Sequence, residues 1–330
     1  MENVHHFIGA DLSKKTVDLA CHSSKSHIRI ENSMQGFGRI MKWLQQQKIK
    51  LSDVIVIMEH TGLYSWRLEA FLYQCGISYC KVSALEIKRS GGLVRGKTDK
   101  IDAVRIAAYG TEKREKLRPE TPPSDALQRL KMLQCSRDQL VKQRAGLKNI
   151  VKEFRNIGLL NQDIILESQL NVIQVLNVEI KNLEEEMERV IQQDKSTAKN
   201  YQLLMSIKSV GKVLAIATIV KTSNFTRFSN GRKFACYCGT APFEHSSGSS
   251  IKGKPRVSHL ADKDMKTLLY LAAMTAIQYN KELKAFYQRR VAQGKTKMST
   301  LNIIKNKIIH RMFAVINRQE VYSEDLAIAA

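Results

Sequence analysis

The five prolines of this 330-residue chain divide it into parts. Three of them, Pro119, Pro122 and Pro123, lie in one short stretch, and none occurs between Ser124 and Ala241. Because proline removes a backbone donor and breaks helix interiors, the cluster predicts a linker, and the proline-free stretch permits very long helices. We therefore expect three domains, at residues 1–118, 119–195 and 196–330.

The first part alternates between strand-like and helix-like runs. Three short apolar runs, at 7–11, 16–21 and 26–30, precede a helical period over 34–47. The run Val54–Met58 is typical of a strand buried on both faces, and it ends at Glu59. A helix at 64–73, a strand at 77–82 and a helix at 98–109 follow. This order predicts an α/β domain with a mixed sheet flanked by helices.

The proline-free stretch carries two runs of heptad-spaced apolar residues, at 130–154 and 173–190, with a natural reversal between Asn156 and Gln169. The pattern predicts an antiparallel helical hairpin of about 70 residues, either a coiled coil or part of an ordinary helical bundle. Residues 196–330 predict a mainly helical unit, with amphipathic helices near 263–279, 281–292 and 297–317. A Gly/Ser-rich loop spans 239–253.

The charge of the chain indicates its class of partner. Lysine and arginine outnumber aspartate and glutamate by 53 to 31, a formal net charge of +22. Residues 201–330 alone hold 21 basic and 7 acidic residues. Such an excess attracts polyanions, since counterion release favours binding to phosphate backbones. A solvated basic surface that aids solubility is the alternative.

Four acids stand out by their positions. Asp11 and Glu59 each close a predicted strand, and parallel neighbouring strands would bring them together at one end of the sheet. Asp99 and Asp102, three residues apart, share one face of a predicted helix. Clustered carboxylates repel one another, and hard oxygen ligands select Mg²⁺ or Mn²⁺, which serve phosphodiester chemistry. For any one of these acids taken singly, a solvated or capping carboxylate is the favoured explanation, and Asp99 could simply cap its helix.

Two glycine-rich segments add basic and nucleophilic groups. The first, residues 91–97, carries Arg95 and Lys97 and precedes Lys100, a composition that suits a phosphate contact. In the second, Ser246 and Ser247 are followed by basic residues that could hold a phosphate beside a nucleophilic serine: Lys252, Lys254 and Arg256. A flexible surface loop is the alternative interpretation of this serine cluster.

The six cysteines form no CxxC pair, so we expect reduced, buried thiols rather than a disulfide framework or a zinc site. No apolar stretch approaches the ~18 residues of a membrane span. The first residues lack the basic start and apolar core of a signal peptide, so we expect a cytoplasmic protein.

Taken together, the motifs resemble those of the DEDD transposases, the bridge-RNA-guided recombinases of insertion sequences that are related to the pilin-gene invertases. The resemblance rests on Ile8–Asp11, Ile57–Gly62, Lys97–Ala103 and the stretch Tyr237–Gly253. It runs over nearly the whole chain, and it implies an RNase H-like (RuvC-like) domain, a coiled coil and a transposase domain in that order.

The resemblance also implies a mechanism. Ser247, which directly precedes Gly248 as in the family, would be a nucleophile that forms a covalent phosphoserine intermediate, with Ser246 the other candidate. Asp11, Glu59, Asp99 and Asp102 would hold Mg²⁺. The implied partners are donor and target DNA on the nucleoid, a guide RNA encoded by the element, and further copies of the chain in a dimer or tetramer.

Two other functions compete with this one. A metal-dependent junction nuclease would use only the four acids and would tolerate loss of Ser247. A non-catalytic RNA-binding protein would tolerate loss of Asp11 and Glu59, and the intact set of four acids argues against it.

Overall fold

The computed structural model describes residues 4–60, 62, 64–92, 96, 98–247 and 251–323; the side chains of 244–247 and 251–255 are outside the description. The chain divides into two compact units, Met1–Pro122 and Pro123–Ala330. The division into three domains stays a prediction.

The first unit is built on a five-stranded mixed sheet in the order β3-β2-β1-β4-β5. Strands β1, β4 and β5 are parallel, and β2 runs antiparallel to both β1 and β3. Its strands are β1 (His6–Leu12), β2 (Thr16–Cys21), β3 (His27–Glu31), β4 (Val54–Glu59) and β5 (Ser78–Val82). Its helices are α1 (Met34–Gln46), α2 (Trp66–Gln74), α3 (Ala84–Ser90) and α4 (Asp99–Glu112).

Helices cover both faces of this sheet, which confirms the predicted α/β class. Ile8 and Ala10 of β1 pack in one apolar cluster with Phe37 of α1 and Leu72 of α2. Phe7 of β1 lies in a second cluster on the opposite face. That second cluster contains residues of β4, α3 and α4: Ile55, Ile57, Ile87, Ile106 and Tyr109. The sequence pattern did not predict the short helix α3.

Two long helices, α5 (Asp125–Asn156) and α6 (Ile164–Gln193), begin the second unit. Arg137 donates to Glu184 at 2.8 Å, and Arg144 donates to Asn177 at 2.8 Å. Residue numbers that rise along α5 are thus paired with residue numbers that fall along α6. The helices are therefore antiparallel, as the heptad pattern predicted. Whether their packing is that of a coiled coil stays a prediction.

The rest of the second unit is mainly helical, with α7 (Lys195–Met205), α8 (Lys212–Thr222), α9 (Gly231–Tyr237), α10 (Lys263–Tyr279), α11 (Lys281–Ala292) and α12 (Lys297–Arg318). The predicted Gly/Ser-rich loop is partly wrong, because strands β6 (Pro242–Ser247) and β7 (Ile251–Val257) pair there as an antiparallel hairpin. One large core joins these helices to the base of the α5–α6 pair, where Leu130 and Ile191 are fully buried.

All six cysteines are free, as predicted, but the prediction that they are buried holds only for Cys21, Cys80 and Cys238. Cys75 and Cys236 are half-buried, and Cys135 is exposed on α5. Across the described ranges, no helix is long and apolar enough to span a membrane.

Candidate active site

A row of charged side chains crosses four strands of the sheet. Asp11 is the partner of Asp18 in the β1–β2 ladder, and Asp18 is the partner of Arg29 in the β2–β3 ladder. On the other side, Ala10 pairs with Met58 in the parallel β1–β4 ladder, so Asp11 and Glu59 come next to each other where the two strands end. The ladder confirms the predicted proximity of Asp11 and Glu59, and their role as metal ligands stays a prediction.

These side chains face helix α4. Residues two apart along a strand share a face, and Phe7 and Ile57 belong to the cluster that contacts α4. Asp11 lies four residues after Phe7, and Glu59 two after Ile57. Both acids are half-buried, in contrast to the fully buried apolar residues that precede them in each strand.

Gly9 is the reason that α4 can bring its own acids close. A Cβ at this position would lie 2.0 Å from the backbone oxygen of Ala103 and 2.3 Å from the backbone nitrogen of Ala107. Only glycine allows the helix backbone to rest directly on β1. The first turn of α4, which carries Asp99 and Asp102, is thereby held beside the end of β1.

The two helix acids are bonded to arginines. Asp99 accepts from Arg29 at 3.2 Å, and Asp102 accepts from Arg105 at 2.8 Å. Arg105 also donates to the backbone oxygen of Gly96 at 2.9 Å. Asp99 does not cap its helix, which corrects that alternative: the side chain of Thr98 does so by accepting from the backbone N–H of Ile101.

Asp11 shows the electrostatic consequence of the clustering. Burial, followed by the charges of Asp102, Asp99, Glu59 and Asp18, raises the pKa of its carboxyl from 3.8 to about 6. A divalent cation would relieve this repulsion, and carboxylates are the donors that hard cations prefer. The chemistry of the donor set therefore fits such an ion.

The ligand set is not assembled in this arrangement. Within the part of the chain that the structure describes, no three histidine, cysteine, aspartate or glutamate side chains form a group that could hold a metal ion. Two of the four candidate carboxylates already have cationic partners, Asp99 with Arg29 and Asp102 with Arg105. An ion would have to displace these arginines.

Asp18 and Arg29 were missed by the sequence reasoning. Asp18 is only 2 % exposed. Its Oδ1 lies 2.7 Å from Nε2 of His27, and its Oδ2 lies 3.5 Å from Nε of Arg29. An aspartate between the apolar residues Val17 and Leu19 was the available signal, because a charge in a strand buried on both faces needs a partner.

The serine motif lies on the hairpin of the second unit. Ser246 pairs with Lys252, and Ser247 pairs with Ile251, at the end of the β6–β7 ladder. Arg256 is exposed near the base of the same hairpin. The side chains of Ser246, Ser247, Lys252 and Lys254 are outside the description, as are residues 248–250.

The basic residues predicted beside the acids are only partly described. Lys100 is exposed on the first turn of α4, next to Asp99. Arg95 and Lys97 lie outside the described residues.

Comparisons with known proteins match a family model to each of the two candidate regions. Residues 8–154 match the model of the DEDD transposases of the IS110 group, described as a transposase. Residues 201–288 match the model of the transposase IS116/IS110/IS902 family. The first match covers the acid row, and the second covers the serine hairpin.

Two curated relatives extend over nearly the whole chain. The pilin gene-inverting proteins of Moraxella lacunata and Moraxella bovis are each 26% identical over 335 residues, which covers 96% of this chain and 98% of theirs. A 43.6 kDa protein of insertion element IS110 from Streptomyces coelicolor is 28% identical over 120 residues, covering 36% of this chain and 29% of that protein.

Proposed function

The chain belongs to the DEDD-type transposases of the IS110 family and is a DNA recombinase; from this premise we propose that it is guided by RNA and rejoins DNA through a covalent bond to Ser247. The observation that carries the proposal is the acid row on one unit together with a serine hairpin on the other, each within its own family match.

The carboxylates supply the first half of the chemistry. Asp11, Glu59, Asp99 and Asp102 would hold Mg²⁺, or Mn²⁺ in its place. The bound ion would supply charge stabilisation at the phosphodiester during transfer. Arg29 and Arg105, which now neutralise two of these acids, would be freed to contact the phosphate backbone.

Ser247 supplies the second half. Its Oγ forms a bond to phosphorus while the bond from phosphorus to a deoxyribose oxygen breaks, and the serine proton is balanced by the proton that the leaving oxygen takes. The reverse attack by a hydroxyl of the partner strand releases the serine. One phosphodiester replaces another, so strand exchange needs no external energy source.

The charge of the chain supports guidance by RNA. If base pairing reads the sequence, the protein needs mainly charge and shape to hold its nucleic acids, and a net charge of +22 suits that division of labour. Donor DNA, target DNA and guide RNA are then all polyanions that bind to one basic protein on the nucleoid.

The exposed face of α6 supports assembly with further copies of the chain. Several apolar residues of this helix remain open to solvent, at 46–75 % exposure: Ile164, Ile165, Val172, Val175 and Val178. Exposed apolar patches of this kind mark protein interfaces. We propose a dimer, and a tetramer on DNA, in which the acids of one copy serve the serine of another.

The alternative is a metal-dependent junction nuclease, and the acid row favours it because that row needs no serine. The two functions differ in what happens to the cut strand. A nuclease transfers it to water, whereas the recombinase transfers it to Ser247 and then to another strand.

A strand-exchange assay separates them. Supercoiled donor and labelled target DNA are incubated with Mg²⁺ and the flanking element RNA, and joined products are counted for wild type, Ser247→Ala and Ser246→Ala. We expect joining by wild type and Ser246→Ala and none by Ser247→Ala. Cleavage that Ser247→Ala retains in full, with no joined product from any variant, would assign the nuclease function instead.

A further inference from the structure

The serine hairpin, which we define as Pro242–Val257, is held at its base by two asparagines of α12. Thr240, two residues before the hairpin, is fully buried. Its backbone oxygen accepts from Nδ2 of Asn302 at 2.6 Å and from Nδ2 of Asn306 at 2.9 Å. The two asparagines are four residues apart, so both project from one face of α12.

Asn306 holds Thr240 through both ends of its amide. While Nδ2 donates to the backbone oxygen, Oδ1 accepts from the Thr240 hydroxyl at 2.8 Å. The backbone oxygen of Ala235, 3.2 Å from the same hydroxyl, is the more distant acceptor. A paired contact of this kind fixes the orientation of Thr240 as well as its position.

The exit of the hairpin is tied to its entrance. The backbone N–H of Asp262 donates to the backbone oxygen of Tyr237 at 2.9 Å. The carboxylate of Asp262 accepts from the Tyr237 hydroxyl at 2.8 Å and from Lys221 at 2.6 Å. Between them, Gly239 adopts a φ of +64°, and a Cβ there would lie 2.3 Å from Cβ of Ala261.

The bonds at the entrance therefore define the direction in which both strands leave the helical unit. The hairpin is a two-stranded ladder with no other strand beside it in the described sheet, so its orientation depends on its base. A nucleophile must be placed to within a fraction of an ångström, and an error of about 1 Å costs on the order of a hundredfold in rate.

We propose that Asn302 and Asn306 are positioning residues for strand transfer: through Thr240 they orient the serine hairpin so that Ser247 meets the phosphate. The inference rests on the proposed function of Ser247. It adds two residues that neither touch the reacting atoms nor belong to the acid row.

The test measures the rate at which the protein forms a covalent DNA adduct, with DNA affinity and melting temperature measured beside it. For the double variant Asn302→Ala, Asn306→Ala we expect the rate to fall at least about tenfold while DNA affinity changes less than about twofold. Asn317→Ala, which changes an exposed asparagine of the same helix, is the matched control and should keep the wild-type rate.

A second pair of variants guards against a misfolded double variant. Thr240→Val keeps the shape of the side chain but removes the hydroxyl that donates a hydrogen bond to Oδ1 of Asn306. Thr240→Ser keeps this hydroxyl. We expect Thr240→Val to slow adduct formation and Thr240→Ser to stay near wild type. Equal rates for Thr240→Val and Thr240→Ser, or a loss of DNA affinity in parallel with the rate, would overturn the proposal.

Backbone amide hydrogen exchange tests the role of Asn302 and Asn306 without depending on the serine mechanism. If wild type forms no adduct, the serine mechanism is wrong, and backbone amide exchange then tests the orienting contact alone. Faster exchange confined to Pro242–Val257 in the double variant supports the contact. Exchange that is unchanged there, or faster throughout α10 and α12, contradicts it.

Discussion

Replacing Asp11 by asparagine should stabilise the first unit at neutral pH while it abolishes strand exchange. Burial and the charges of Asp102, Asp99, Glu59 and Asp18 raise the pKa of this carboxyl from 3.8 to about 6. A gap of about 2 pKa units corresponds to about 3 kcal/mol, by which the folded state is destabilised when the group is ionised. Water reaches this half-buried group and screens its neighbours, so we expect a gain of about 1–2 kcal/mol for Asp11→Asn.

The sign of the pH dependence follows from the direction of the shift. Above about pH 6 the carboxyl is ionised in both the folded and the unfolded state, and the full cost is present. Between about pH 6 and 4 the folded state retains a proton that the unfolded state has lost, so the wild type becomes more stable as the pH falls. The advantage of Asp11→Asn should therefore be largest near pH 7.5 and nearly absent near pH 4.

Urea unfolding followed by tryptophan fluorescence is the assay. The two tryptophans of the chain, Trp43 and Trp66, both lie in the first unit, so their emission reports that unit alone. The measurement is made in EDTA, with Asp53→Asn as a control outside the acid row. Mg²⁺ is then added at about ten times its dissociation constant, where binding should stabilise wild type by about 1.4 kcal/mol and Asp11→Asn far less.

Two results would refute this reasoning. One is a variant that is less stable than wild type near pH 7.5. The other is a stability difference that stays the same near pH 4, because the effect would then not come from the charge of Asp11.

Three further perturbations test the fold and the charge. In Gly9→Ala, the added Cβ would lie 2.0 Å from the backbone oxygen of Ala103. We expect the variant to destabilise the first unit by about 2–4 kcal/mol in the same urea assay. It should also weaken Mn²⁺ binding, measured by electron paramagnetic resonance. Lys81→Ala should cost about 3–5 kcal/mol by the same fluorescence, since Glu69, 1 % exposed, loses the ammonium 2.8 Å away. Arg256→Ala should weaken DNA binding in fluorescence anisotropy and lower the salt dependence by about one phosphate contact.

Each of these has a contradicting outcome. Wild-type stability of Gly9→Ala would mean that α4 does not rest on β1. A cost for Lys81→Ala no larger than that for Lys42→Ala, which removes an exposed lysine of α1 in the same unit, would mean that Glu69 is solvated. An unchanged salt slope for Arg256→Ala would place this residue outside the nucleic-acid contacts.

The strands β1 and β4 were predictable because each is an apolar run that closes on an acidic residue. The runs that end at Asp11 and Glu59 are buried throughout, and parallel pairing of two such runs places their final residues together. The positions of these acids thus followed from strand length and parallel order alone.

Asp18 and Arg29 could not be placed in the same way. Their role depends on the register of β2 against both β1 and β3, and a shift by one residue would turn both side chains to the other face. The sequence carries no signal for that register within such short strands. The hairpin at 242–257 was missed for a different reason, since glycine and proline residues, which disfavour strands, recur in this stretch.

The residue that caps α4 could not be predicted from residue type alone. Thr98 and Asp99 are both common cap residues, and the structure selects Thr98 because its backbone is extended while Asp99 is already helical. Asp99 is thereby left free of a capping role and is available to Arg29.

The most direct test of the central claim is to identify the residue that carries the DNA. Wild-type protein is reacted with Mg²⁺, element RNA and donor DNA, digested with nuclease and protease, and the peptides are sequenced by mass spectrometry. We predict a nucleotide attached through phosphate to Ser247 and none on Ser246. Strand exchange that proceeds with no nucleotide on any serine of the hairpin would contradict the account.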